Sequence, residues 1–139
     1  SVLGDGELAE GQIWEATMFA AHYHLDNLCI IVDLNGLQID GRTCDVMNTA
    51  PVDKKFEAFG CDVVTIDGHD FEQIEQAMAR FHANHGTGKP TAILMKTTKG
   101  KGVSYMENQA GWHGKAPNDE EYAQAMAELA AARKAIEEG

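Results

Sequence analysis

The run Leu28-Cys29-Ile30-Ile31-Val32-Asp33-Leu34 constrains the fold more than any other part of this chain. Its apolar residues do not alternate with polar ones, so neither face of a strand built from it suits water. Continuous runs of this kind belong to parallel strands covered on both faces by helices. Joining such a strand to a parallel neighbour takes a crossover of about a dozen residues or more, usually helical. The run is also far too short to span a bilayer.

The flanking sequence reads as such crossovers. Ser1–Leu3 is a short strand leading straight into Gly4-Asp5-Gly6. Periodicity predicts a helix from Leu8 to His24, with Ile13, Ala16 or Thr17, Ala20 and Tyr23 on its apolar side. A Gly- and polar-rich loop covers Asn35 to Ala50, and a helix starting near Pro51 leads to the strand Val63–Ile66. Asp70 is placed to cap an amphipathic helix over Phe71–His85. Thr91–Met95 is the last strand, and Lys96–Asn118 is a long loop. Asp119–Glu137 is an Ala/Glu-rich helix whose Ala123, Ala127, Ala130 and Ala131 are expected to pack on the domain or a neighbour. The expected class is α/β, a three-layer sandwich around a mostly parallel sheet. Residues 1–139 form one domain in this reading. It is expected to be partial and truncated at its N-terminus, because an open parallel sheet does not begin two or three residues before its functional turn.

Charge and cysteines narrow the function classes. The chain carries 22 acidic against 11 basic side chains, a formal charge of −11, which argues against a nucleic-acid partner. Cys29, Cys44 and Cys61 are odd in number, widely spaced and free of any CxxC pattern. Reduced thiols in a cytoplasmic protein are the expectation, and no basic-then-apolar leader argues for secretion.

Two polar landmarks carry the chemistry. Asp5 closes the first strand. The next helix, ~17 residues or ~25 Å, and the returning strand, ~7 residues or ~23 Å, nearly cancel in length. Asn35 therefore lands at the same carboxyl edge of the sheet, where open α/β sheets bind ligands. A carboxylate and an amide carbonyl are hard oxygen donors, suited to Mg²⁺ or Ca²⁺ rather than zinc. Gly4 and Gly6 let the backbone approach a phosphate, and the following helix offers free N–H groups. Gly-Asp-Gly alone and Asn-Gly alone are common turns; the pairing across a helix and a buried strand is the specific signal.

Gly4-Asp5-Gly6 followed thirty positions on by Asn35 resembles the thiamine diphosphate signature. The surrounding text GDGELAEGQIWEA, LDNL, VDLNGLQIDG, FEAFG, DGHD, KTTKGKG and WHGKAP looks like transketolase over essentially the whole chain, and resembles best the short, split type. The resemblance implies thiamine diphosphate and Mg²⁺ as cofactors, with Ca²⁺ as a substitute. Asp5, Asn35 and the Leu37 carbonyl would ligate the metal. Gly6 would donate its N–H to the diphosphate, Lys99 would add a cation there, and Ile39 would pack beside the cofactor rings. Glu10 would lie at a subunit contact, and His113 would approach cofactor and substrate oxygen. The implied reaction moves a two-carbon ketol unit between sugar phosphates. The implied partner is a pyrimidine-binding domain or C-terminal subunit that brings the activating glutamate, in a homodimer or heterotetramer.

The Gly-rich loop and the substrate-contacting histidines that the family carries before GDG lie outside this sequence. By itself the chain is therefore expected to perform no ketol transfer. A non-catalytic remnant of the fold and a deoxyxylulose phosphate synthase are the competing readings. Among the other histidines, His22 and His24 point to different helix faces, His82 and His85 suit a solvated helix end, and His69 suits a helix-capping turn.

Overall fold

The structure, a computed structural model, describes residues 1–138. Four parallel strands form its sheet: β1 (Val2–Gly4), β2 (Cys29–Leu34), β5 (Asp62–Asp67) and β6 (Thr91–Lys96), in the spatial order β1-β2-β6-β5. Between β2 and β5 lie a two-stranded ribbon, β3 (Leu37–Gln38) with β4 (Gly41–Arg42), and two helices, α2 (Thr43–Val46) and α3 (Val52–Ala58). Three longer helices complete the chain: α1 (Gly11–His22), α4 (Phe71–Ala83) and α5 (Asp119–Glu138).

Side chains of β2 and β6 alternate between two apolar layers, as the pleat requires. Ile30, Val32, Ala92 and Leu94 face one side, where they meet Leu8, Ile13 and Trp14 before and within α1 and Val52 and Phe56 of α3. Cys29, Ile31, Ile93 and Met95 face the other side, against Ile74, Ala77 and Met78 of α4. The run 28–34 is thus covered on both faces, and the three layers are α1 with α3, the sheet, and α4. Phe56 is fully buried and lies 5.1 Å from the Trp14 ring; burying a side chain of that size contributes about 2–3 kcal/mol. The Trp14 indole N–H donates to the Leu8 carbonyl at 2.9 Å, which ties the start of α1 to the turn before it.

The first helix is shorter than its periodicity suggests. A 3₁₀ turn over Glu7–Ala9 precedes it, and the extended backbone of Glu10 separates the two. At its far end His24 takes φ 56°, ending the helical course, and its Nδ1 lies 3.3 Å from the Gly88 carbonyl. Thr17 and Ala20 are buried as expected, but Tyr23 is 57% exposed, because the chain has left the helix by then. Asp70 caps α4 as expected, accepting from the amides of Glu72 and Gln73.

The loop expected over 35–50 is more ordered than its composition suggests, since it holds β3, β4 and α2. Packing of the α5 alanines on this domain is a second expectation that the structure overturns. Ala123, Ala127, Ala130 and Ala131 are exposed and only Ala125 is buried. Polar contacts tether this helix to the long loop: Ser104 donates through both amide and hydroxyl to Glu128, and the Tyr105 hydroxyl donates to the Glu121 carbonyl.

Candidate cofactor site

At the carboxyl edge β1 and β2 end side by side, Gly4 in register with Asp33. The Asp5 amide donates to the Asp33 carbonyl at 3.1 Å, so Asp5 leaves the sheet directly beside the end of β2. Its side chain is 4% exposed, and Oδ2 accepts from the Gly36 amide at 2.6 Å. The helix and strand between Asp5 and Asn35 therefore do return the chain to the point where it started. Asp5 Oδ1 is buried with no hydrogen-bond partner. Burial pushes the Asp5 carboxyl above its ordinary value; the Gly36 and Gly6 amides oppose that rise, and the Asp33 charge adds to it.

A cleft of ≈ 820 Å³ opens over this edge. Asp5, Gly6, Glu10, Asn35, Leu37, Ile39, Lys99 and His113 are all among the residues that line it. All eight positions singled out from the sequence thus border one space, brought there by four separate segments. Gly6 packs against the β3 ribbon so closely that a Cβ would stand 3.0 Å from the Gln38 Cβ. Ile39 is 70% exposed.

Lys99 is carried by a braced turn. The Thr98 amide donates to His69 Nε2 at 2.8 Å, the His69 amide donates to Asp67 Oδ1 at 2.9 Å, and the Gly68 amide donates to the Lys96 carbonyl at 2.8 Å. His69 therefore ties the start of α4 to the end of β6, which a reading as a helix cap did not foresee. Gly100 follows at φ 72°, and a Cβ there would lie 2.6 Å from the Met106 carbonyl oxygen. His113 ends a 3₁₀ turn (Ala110–Trp112) anchored by Trp112, whose indole N–H donates to the Tyr105 carbonyl at 3.1 Å. The Lys115 ammonium sits 4.1 Å from the centre of the Trp112 ring.

Three residues at the edge escaped the sequence reading. Glu7 Oε2 accepts from the Gly4 amide at 2.6 Å and so backs the Gly-Asp-Gly turn. Asp33 accepts from the Asn35 side-chain amide at 3.2 Å and also from the Thr97 hydroxyl. Asp33 and Thr97 are 64 residues apart, and only the strand order brings them together. Glu7, in contrast, carried a local signal, a carboxylate three residues after a glycine amide.

Among the described residues no cluster of three or more His, Cys, Asp or Glu side chains is placed to hold a metal. Asp5, Asn35 and Leu37, which all border the cleft, carry a carboxylate, an amide oxygen and a backbone carbonyl. Such a set fits a Mg²⁺ ion that takes its remaining oxygens from a bound diphosphate and water, and the orphaned Asp5 oxygen is the atom such an ion would satisfy.

Fold and site together define a parallel α/β domain with an oxygen-rich cleft at the carboxyl ends of its strands. Residues 1–136 match the family model described as the transketolase thiamine diphosphate binding domain, and the chain belongs to that family. It is 45% identical over 126 residues to one subunit of the apulose-4-phosphate transketolase of Actinobacillus succinogenes, a match covering 91% of this chain and 45% of that protein. Against human transketolase it is 43% identical over 117 residues, covering 82% of this chain and 18% of the other. The crystal structure of Campylobacter jejuni transketolase superposes with a TM-score of 0.82 at 35% identity, covering 91% of this chain and 19% of that one. The chain thus spans under half the length of the relative named as a subunit and about a fifth of the other two. Among the described residues no helix is long and apolar enough to cross a membrane.

Proposed function

We propose that this chain forms the diphosphate-binding part of a thiamine diphosphate-dependent transketolase, which moves a two-carbon ketol unit between sugar phosphates. The observation that carries the reading is the buried, unpartnered oxygen of Asp5, a residue that borders the same cleft as Asn35 and Leu37. A cation held by Asp5 would offset the burial of its carboxylate and would bring positive charge for a diphosphate. Relatives that are themselves named as transketolase subunits support a second component, a pyrimidine-binding domain or C-terminal subunit, in a homodimer or heterotetramer. The protein is assigned to the cytoplasm on its unpaired cysteines.

When bound, thiamine diphosphate supplies the nucleophilic carbon and the electron sink that let a ketose carbon–carbon bond break. The residues of this chain bind and orient. Asp5, Asn35 and the Leu37 carbonyl hold Mg²⁺, with Ca²⁺ as a substitute. Gly6 gives its N–H to the diphosphate, and Lys99 neutralises charge at the same group. Ile39 offers an apolar surface to the rings, exposed now and covered on binding. Glu10 meets the partner subunit, and His113 hydrogen-bonds the substrate oxygen and carries its proton.

Titration calorimetry of the chain with thiamine diphosphate, with and without Mg²⁺ and with and without the pyrimidine-binding partner, tests the reading. Binding should require Mg²⁺, and ketol transfer from xylulose 5-phosphate should require both components. Equal affinity in EDTA and in Mg²⁺ would sink the metal assignment. Turnover on pyruvate instead of xylulose 5-phosphate would point to a synthase.

A further inference from the structure

We propose that Asp33 is a positioning residue that fixes which end of the Asn35 side-chain amide is available to a cation. The inference rests on the metal reading above and concerns a residue that reading leaves unused.

Asp33 lies near the end of β2, in register with Gly4 on one side and Met95 on the other, so it sits in the interior of the sheet edge. Its carboxylate is an acceptor only, and every group facing it must donate. Oδ1 accepts from the Thr97 hydroxyl, and Oδ2 accepts from Asn35 Nδ2 at 3.2 Å. The opposite end of the same amide, Asn35 Oδ1, accepts from the Leu37 amide at 2.9 Å. Rotating the Asn35 amide by half a turn would set its oxygen against a carboxylate and its NH₂ against an N–H. Both contacts would be repulsive, so the network admits a single orientation. In that orientation the nitrogen is consumed, and the oxygen keeps a second lone pair for a hard cation. Without Asp33 one end of the amide loses its partner, and the nitrogen, which cannot ligate Mg²⁺, competes for the metal-facing position.

Charge alone would also make Asp33 favour a nearby cation, and the two explanations separate on one substitution. In Asp33→Asn the new amide oxygen still accepts from Asn35 Nδ2, and its NH₂ can donate to the Thr97 hydroxyl, which turns to accept. That variant keeps the orientation and loses the charge, whereas Asp33→Ala loses both. Groups that orient a metal ligand from behind typically matter by about 10–100-fold in affinity.

The experiment measures Mg²⁺ affinity at saturating thiamine diphosphate on the chain assembled with its pyrimidine-binding partner. Asp33→Ala should bind Mg²⁺ at least tenfold more weakly, and Asp33→Asn should stay within about threefold of wild type. ¹⁵N spectra without metal or cofactor should show two well-separated Asn35 amide proton lines in wild type and Asp33→Asn, drawn together in Asp33→Ala. Asp33→Leu, closer in volume, repeats the test if the alanine variant fails to fold. The proposal is overturned if Asp33→Ala binds like wild type, or if Asp33→Asn falls as far as Asp33→Ala. Asn35→Ala separates the layers: if it leaves Mg²⁺ affinity unchanged, the metal reading itself fails and the inference with it.

Discussion

Replacing Asp5 by asparagine should raise the stability of the cofactor-free protein while weakening its cofactor binding. Asp5 is 4% exposed, one of its oxygens has no partner, and burial holds its carboxyl above the ordinary value of 3.8. An amide of the same shape keeps the Gly36 hydrogen bond and carries no charge. Relieving a buried, unsatisfied charged oxygen is worth about 1 kcal/mol here, the low end for such groups, because the new NH₂ is itself unpartnered. For a 139-residue chain that corresponds to about 4 °C in melting temperature. The pH dependence follows from the direction of the shift. The folded chain holds the Asp5 proton more tightly than the unfolded chain, so wild type loses stability as pH rises from 3.8 through the raised folded value. The advantage of Asp5→Asn thus grows as pH rises through the raised folded value and vanishes below 3.8, where Asp5 is protonated in both states. Cofactor reverses the order: ligand at a hundred times its Kd adds about 2.7 kcal/mol to wild type. A tenfold weaker variant gains about 1.4 kcal/mol, which with its own advantage of about 1 kcal/mol leaves it about 0.3 kcal/mol behind wild type, and any larger loss of affinity widens that gap. Thermal unfolding by circular dichroism, in EDTA and then with Mg²⁺ and thiamine diphosphate, reads both halves. If Asp5→Asn melts at or below wild type in EDTA at pH 7, the account of Asp5 as a strained, waiting ligand is wrong.

His113→Ala should slow ketol transfer in the assembled enzyme while lowering cofactor affinity less than Asp5→Asn does; equal effects on both would make the histidine structural. Gly100→Ala should destabilise by more than about 1 kcal/mol, because its φ of 72° and the 2.6 Å approach to the Met106 carbonyl both exclude a Cβ. A chemical melt should show this together with weaker diphosphate binding through the displaced Lys99. Thiol labelling at pH 8 should mark Cys44 first, since it is exposed, and spare Cys61, which burial pushes up to about 11; fast labelling of Cys61 would indicate local opening of the α3 layer.

The parts of this architecture legible in the sequence are those set by local pattern and by length. The unbroken apolar run announced a strand covered on both faces, and Asp70 announced a helix start. The near-equal lengths of a helix and the strand after it placed Asn35 beside Asp5. What the sequence could not reveal depends on strand order. Nothing around Thr97 indicates that its hydroxyl meets Asp33, because β6 is inserted between β2 and β5 only in three dimensions. His69 was equally opaque, since its partner, the Thr98 amide, belongs to a strand end 29 residues away. The alanines of α5 do not seat it on the domain, for another reason. Small apolar side chains tolerate exposure, so an alanine stripe marks helix propensity as readily as a buried face, and that helix is held by Glu121 and Glu128 instead.

The position of β6 has a consequence for how the molecule is made. It follows β5 in sequence, yet it sits between β2 and β5 and supplies three of the most deeply buried residues, Ala92, Ile93 and Leu94. Until residues 91–96 leave the ribosome, β5 lacks the strand it pairs with here, and β2 lacks its neighbour on the side away from β1. A strand inserted between two earlier ones keeps this part of the sheet open until it is made, and such long-range pairings form slowly.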